Sequence, residues 1–307
     1  MIDFLNTFIN GLSLGGIYAM IALGYTMVYG IAKMLNFAHG DIIMVGGYTL
    51  FVTLGLFGNP ILPIVIAIII CGLLGVIMEK LAYKPLRGAS PLAVLITAIG
   101  VSYLLQSLSQ IIFGAGSKYV QMPNLGSIKM GDLTIQVYTL VTLGFSALIM
   151  IALSLFIKYS RTGRAMIAVS EDRAASELMG INVNTIISIT FLIGAILAAF
   201  ASTFYLLKAP SISPVFGSMP GIKAFTAAVI GGIGSIPGAM VGGVLLGIIE
   251  VFCNSVQVLA PYTDAIEFTI LIIILLVRPT GLLGKKRGEK VWFKRKRSNG
   301  NIILITW

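Results

Sequence analysis

Charge is scarce in this 307-residue chain: Asp, Glu, Lys and Arg make up 10% of it, against about 25% in an ordinary soluble domain. With 57% hydrophobic residues, that scarcity excludes a soluble globular domain and specifies a polytopic helical membrane protein. A β-barrel is excluded too, because it needs many alternating segments of about 10 residues rather than long unbroken apolar runs. Histidine occurs once and cysteine twice. Cys71 and Cys253 lie in apolar runs, show no metal or disulfide spacing, and read as small core residues. The sequence has no GxxxxGK[ST] loop to cradle ATP phosphates; GLLGKK at 281–286 has the wrong spacing and lacks the hydroxyl that holds magnesium. If ATP drives this protein, a separate subunit binds it. No basic residue precedes the first apolar run, so that run is expected to be a retained span rather than a cleaved signal.

The net charge of +10 would point to nucleic acid in a soluble protein. Here the positions argue otherwise. Sixteen of the 21 Lys and Arg fall at 80–87, 158–173 and 278–297. Such clustering between apolar runs is the positive-inside pattern, which makes these three regions cytoplasmic and removes nucleic acid as a partner.

The apolar runs set the architecture. Phe4 to Ala32 carries glycines at 11, 15, 16, 24 and 30, small residues that let membrane helices approach closely. Ile42 to Met78 is uncharged for 37 residues, too long for one crossing, and Gly58-Asn59-Pro60 marks a break within it. Further spans are expected in 88–117, 133–157 and 181–207. Lys208 to Lys223, with prolines at 210, 214 and 220, reads as a stiff external loop. The breakers at 231–238 predict a short span, a tight turn and a return helix from Pro237 to about Leu259. A last segment covers about 262–277. The fold class is thus an all-α transmembrane bundle of eight or nine segments. It forms one membrane domain over 1–284, with a basic tail at 285–307. Nine crossings put the N-terminus outside and the C-terminus inside.

The most polar interruption is RTGRAMIAVSEDRAASELMGINV, at 161–183 within the loop 158–183. Its Ala, Met, Glu, Arg and Leu content predicts helix, stopped by Gly180. Read as one helix, Ala168, Ala175, Leu178 and Met179 share a face, with Glu171, Arg173 and Glu177 on others. It can be an amphipathic loop lying on the membrane, or a docking helix for a soluble partner. A catalytic loop is disfavoured, because it has no Cys, no His and no Ser/His/Asp set.

Intramembrane polar residues are candidates for function. Glu250 lies about midway along its predicted helix, and reads either as a path residue or as a buried carboxylate bonded to a neighbouring helix. Asp264 and Glu267 are expected near the outer surface, where solvation explains them. Asn36, His39 and Asp41 form a polar knot between two spans that can line a cavity. A lone histidine is nevertheless more often structural than a ligand.

At this point the motifs resemble a known family. GLSLGGIYAMIALGYTMVYGIAKMLNFAHGDIIMVGGY at 11–48 is similar to the start of permease subunits of branched-chain amino acid ABC transporters. RAMIAVSEDRAASELMGINV at 164–183 resembles their cytoplasmic coupling loop; AAVIGGIGSIPGAMVGG at 227–243 and VRPTGLLGK at 277–285 resemble their last third. The blocks run the length of the chain in the expected order. The resemblance implies a permease, not an enzyme, that binds no cofactor itself. It pairs with a second related permease, and two cytosolic ATP-binding subunits hydrolyse the ATP. A periplasmic or lipid-anchored binding protein delivers leucine, isoleucine or valine. The location implied is a bacterial cytoplasmic membrane.

The resemblance also makes Arg164, Glu171, Asp172, Arg173, Ala174, Ala175, Glu177 and Gly180 the coupling residues. ABC importers carry Glu-Ala-Ala-x-x-x-Gly there. In this chain Arg173 stands in the Glu position and the Gly comes one residue late. The implied path lies between the two permeases, is apolar with few polar groups, and has Asn36, His39, Asp41 and Glu250 as its candidate residues. Two rivals remain: the same architecture carrying urea or short-chain amides, and a gradient-driven carrier that needs no ATPase.

Overall fold

The computed structural model describes residues 2–57, 59–130, 133–284, 296–298 and 301–303. Most of the basic tail, and Gly58 of the break between the second and third spans, lie outside the described residues. The chain is an all-helical membrane bundle. In order, the helices are α1 (Ile2–Ala32), α2 (His39–Phe57), α3 (Ile61–Met78), α4 (Pro91–Phe113), α5 (Val137–Tyr159), α6 (Arg161–Glu171), α7 (Arg173–Leu178), α8 (Val183–Lys208), α9 (Ser218–Gly231), α10 (Ile236–Ser255) and α11 (Thr263–Val277). Among the described residues, eight spans are long and apolar enough to cross a membrane: α1, α2, α3 continued to Leu86, α4, α5, α8, α10, and α11 with the turn before it from Ala260.

Local chemistry explains the boundaries. Ser90, Ser160, Asn182 and Ser235 each accept a hydrogen bond from a backbone N–H in the first turn of α4, α6, α8 and α10. Asn59 does the same for Ile61 at the start of α3. Gly114, Gly180 and Gly232 end their helices at φ of +84°, +80° and +111°, a region other residues enter only with strain.

α1 is the buried axis, packed most closely against α10 and α8. Lipid tails are as apolar as leucine, so membrane helices associate through close packing rather than hydrophobic burial. Glycines supply that closeness. A Cβ on Gly247 would overlap the backbone of Gly15, and one on Gly243 would overlap Ala19.

The segment expected to be an external loop up to Lys223 is different. Lys223 is buried inside α9. α9 has 14 residues, about 21 Å at 1.5 Å per residue, too short to cross alone. The extended stretch before it completes the passage. Ile212 lies against Gly47 of α2, Gly217 against Gly40, Gly221 against Tyr25 of α1, and Gly234 against Gly30. The chain thus descends along α1 and α2 before α10 returns. Its unwound part is covered by protein, the condition for irregular backbone at membrane depth.

The basic segments share one end of the bundle. Arg87 donates to Asn184 at the start of α8, Arg173 to the end of α1, and Gly281 packs on Gly232. At the opposite end two short strands, Lys118–Tyr119 and Ser211–Ile212, pair antiparallel, and Ser127–Met130 forms a hairpin with Leu133–Gln136.

Candidate functional site

The polar island is two helices, not one. Asp172 adopts an extended backbone (φ −150°, ψ 112°), ends α6, and accepts from Ala175 N at 3.1 Å to start α7. Aspartate bonds readily to nearby backbone N–H groups, which favours a cap over a helix interior. α6 buries Gly163, Met166 and Val169 against the bundle. α7 presents the other way: Leu178 is 89% and Met179 82% exposed, beside exposed Ala174, Ala175, Glu177 and Gly180. Glu171 and Arg164 are exposed on α6, with Arg164 donating to Tyr159 O at 2.9 Å. Ala168, expected on the same face as Ala175, lies on the other helix.

Arg173 does not join the exposed set. Its guanidinium turns inward and donates to the carbonyls of Ile31 (3.1 Å) and Ala32 at the end of α1. A cation there satisfies otherwise orphaned carbonyls and favours the negative end of the helix dipole. Burial, with Arg87 nearby, pushes its pKa below the usual guanidinium value, which is so high that Arg173 stays cationic. Arg87 itself donates to fully buried Glu79, which also accepts from Ser188 at 2.7 Å. This node joins a π turn after α3 (Glu79–Tyr83) to α8.

Asn36, His39 and Asp41 are all buried, but each has its own surroundings. Asn36 accepts from Tyr83 at 2.6 Å. His39 packs edge-on to Tyr25 with ring centroids 4.8 Å apart. Its Nε2 faces Gly24 and has no hydrogen-bond partner among the described residues. Asp41 accepts from Gln106 of α4 at 2.9 Å, and the same amide reaches Ser102 (3.1 Å) and Ser218 of α9 (3.3 Å).

Glu250 is three-quarters of the way along α10, not midway, and belongs to a cage. Lys223 Nζ lies 3.1 Å from Glu250, 2.8 Å from Asp264 and 3.3 Å from Glu267, while Tyr18 donates to Glu250 at 2.6 Å. The cage ties α1, α9, α10 and α11 together. Asp264 is half-exposed as expected near a surface, but Glu267 is fully buried. Its ion pair, not solvation, accounts for it. Sequence reasoning missed Lys223 because prolines on its N-terminal side made the segment look like a loop. It missed Tyr18 and Gln106 because both sit inside long uncharged runs. One charge 27 residues from Glu250, in a chain with so few, was the available signal.

Comparison with known proteins agrees with this architecture. Residues 7–275 match the family model described as branched-chain amino acid transport system / permease component. The chain is 43% identical over 304 residues to the high-affinity branched-chain amino acid transport system permease protein BraD of Pseudomonas aeruginosa, covering 94% of this chain and 98% of that one. It is 43% identical, with the same coverage, to the permease protein LivH of Escherichia coli K12. It is 30% identical to a probable LivH of Methanocaldococcus jannaschii, covering 91% of this chain and 90% of the other. With a match across nearly its whole length and the multi-pass bundle that such a protein needs, this chain belongs to the branched-chain amino acid transport system permease component family.

Proposed function

We propose that this chain is the membrane-spanning permease subunit of an ATP-driven importer and passes leucine, isoleucine or valine across the membrane. The near-full-length 43% identity to permeases named for that transport carries the reading. The exposed island of α6 and α7 supports it. Leu178 and Met179 give apolar contact, Ala174, Ala175 and Gly180 allow close approach, and Arg164, Glu171 and Glu177 set register on a partner's surface. Asp172 and Arg173 hold that shape from behind.

In this reading the chain performs no catalytic step. Two ATP-binding subunits dock on the island, a second related permease completes the membrane unit, and an external binding protein delivers the amino acid. The basic end, with the C-terminus, faces the cytoplasm of a bacterial cell. The amino acid passes near the start of α2. There Asp41 reaches the surface through Gln106, while Asn36, His39 and Glu250 fix the helices around the route.

The test is uptake of labelled leucine in vesicles holding this chain with its neighbouring permease, ATPase subunits and binding protein. ATP-dependent leucine uptake is expected. Uptake of urea but not leucine would keep the architecture and replace the cargo. ATP-independent leucine uptake by this chain alone would overturn the importer assignment.

A further inference from the structure

α4 is the span whose surface fits lipid least well. Only Val94, Ala98 and Ser109 of its 23 residues are buried. The exposed residues divide into two faces. Leu104, Leu108, Ile111 and Ile112 form an apolar arc of about 100°. Gly100, Tyr103, Ser107 and Gln110, spaced three, four and three apart, occupy the C-terminal half of a separate arc of about 80°, whose N-terminal half is aliphatic, with exposed Leu92 and Ile96 on it and Ile99 at its edge.

The second arc is out of place against hydrocarbon. Tyr103 is 66% exposed, yet lies twelve residues from Pro91 and ten from Phe113, at the middle of the span. Membrane tyrosines favour the headgroup level. Ser107 follows one turn on, and Gln110 one turn beyond that. By contrast α3 exposes only apolar side chains at matching depth, such as Ile69 and Leu73.

The polar arc continues into the protein. Gln106 sits beside it on α4 and is half-buried. Its amide nitrogen is committed to Asp41, Ser102 and Ser218. Asp41 accepts from the NH2 end, which leaves the carbonyl oxygen as the end of the amide able to accept from a ligand. Behind it the starts of α2 and α9 meet, Gly40 against Gly217. A carboxylate, an amide and several hydroxyls at membrane depth are tolerated where protein covers them, as at buried Asp41, or where water reaches them; half-buried Gln106 and exposed Ser107 lie where the protein cover ends.

Resting on the permease reading above, we propose that the Gly100–Tyr103–Ser107–Gln110 face of α4 lines the water-filled route between this chain and its partner permease. There the Gln106 carbonyl, held by Asp41, accepts from the ammonium group of the passing zwitterionic amino acid. This lining is more polar than the resemblance implies.

Single cysteines test the assignment. Ser107→Cys and Gly100→Cys are placed on the polar face, Leu108→Cys on the other face of α4, and Leu73→Cys on α3. The native Cys71 and Cys253 are buried, and the parent's own labelling is subtracted. A Cβ at Gly100 meets nothing within 4 Å, so that variant does not depend on repacking. Each is made in the assembled transporter in membrane vesicles. Each is then treated with a quaternary-ammonium thiosulfonate and, separately, with a lipid-soluble maleimide.

The expected result is at least tenfold faster reaction of Ser107→Cys and Gly100→Cys with the charged reagent than of Leu108→Cys and Leu73→Cys. Leucine uptake should be lost on modification of the first two. Equal rates on both faces, or labelling of the polar face by the maleimide alone, would overturn the proposal; equally slow rates place no water there, equally fast rates make the face no different from the rest of the surface, and labelling by the maleimide alone places lipid there. Uptake by the unmodified parent tests the importer reading separately, because the labelling pattern does not depend on cargo.

Discussion

Arg173 of α7 donates to the carbonyl oxygen of Ala32, the last residue of α1. The exposed island of α6 and α7 is thereby fastened to the helix at the centre of the bundle. α1 in turn meets α10 through glycine contacts and through the Tyr18–Glu250 hydrogen bond. If ATPase subunits dock on α7 as proposed, this tie is the route by which their movement reaches the central helix.

Arg173→Ala should separate docking from transmission. It removes the tie but leaves Leu178, Met179 and Glu177 on the surface. ATPase subunits should still co-purify, while ATP-driven leucine uptake falls at least fivefold. Hydrogen bonds to a charged group are worth about 1.5–3 kcal/mol, so a measurable drop in thermal stability should accompany the loss. Arg173→Lys should recover part of the uptake, because one guanidinium nitrogen makes both bonds, to Ile31 and Ala32, and an ammonium can replace it only where the shorter lysine side chain reaches that position. Loss of co-purification in Arg173→Ala would show that the residue docks rather than transmits.

Leu178→Asp and Met179→Asp should do the reverse. Both side chains are almost wholly exposed on this chain, and surface changes of this kind usually stay within about 0.5 kcal/mol. Thermal unfolding of the isolated chain should be unchanged. Co-purification with the ATPase subunits should be lost, and uptake with it. Retained binding in both variants would remove α7 from the docking surface.

The elements that the sequence revealed and those it hid differ in a physical way. Apolar runs and breakers report span positions directly, so α1 to α5, α8, α10 and α11 were legible, as was the turn at Gly231–Ser235. Those signals depend on residues near each other in the chain. The cage around Lys223 depends on Tyr18 and Glu267, 205 and 44 residues away in the sequence, and no local pattern carries that pairing. Asp172 is intermediate. Its type favours a cap, but the surrounding helix formers favoured one continuous helix, and the capping bond decided the outcome.

Glycine contacts between α1 and α10 predict a sharp contrast. At Gly247 a Cβ would overlap the backbone of Gly15 and Leu14, which has no rotamer to escape into. Gly247→Val should force the two helices apart and cost well above the roughly 1–3 kcal/mol typical of overpacking. At Gly100 nothing lies within 4 Å, so Gly100→Ala should be neutral or slightly stabilising by helix propensity. Thermal unfolding in detergent compares the two, and a tolerated Gly247→Val would mean that the α1–α10 contact is not tight.

The buried cage gives the most demanding test of energetics. Lys223 is the only cation within ion-pair distance of Glu250, Asp264 and Glu267 among the described residues. Removing one partner of a buried pair leaves an uncompensated charge, at a cost of about 3–5 kcal/mol. Lys223→Met should approach that figure, because Glu267 is fully buried and cannot turn to solvent. Adding Glu267→Gln removes one of the two buried carboxylates left without a cation, Glu250 being the other, so the double variant should regain part of the loss. Asp264→Asn should cost little, since its carboxylate is half-exposed and water screens it. The order expected in thermal unfolding is therefore Lys223→Met least stable, the double variant intermediate, and Asp264→Asn close to the parent. A double variant no more stable than Lys223→Met would show that the loss comes from the packing of the lysine stem, not from its charge.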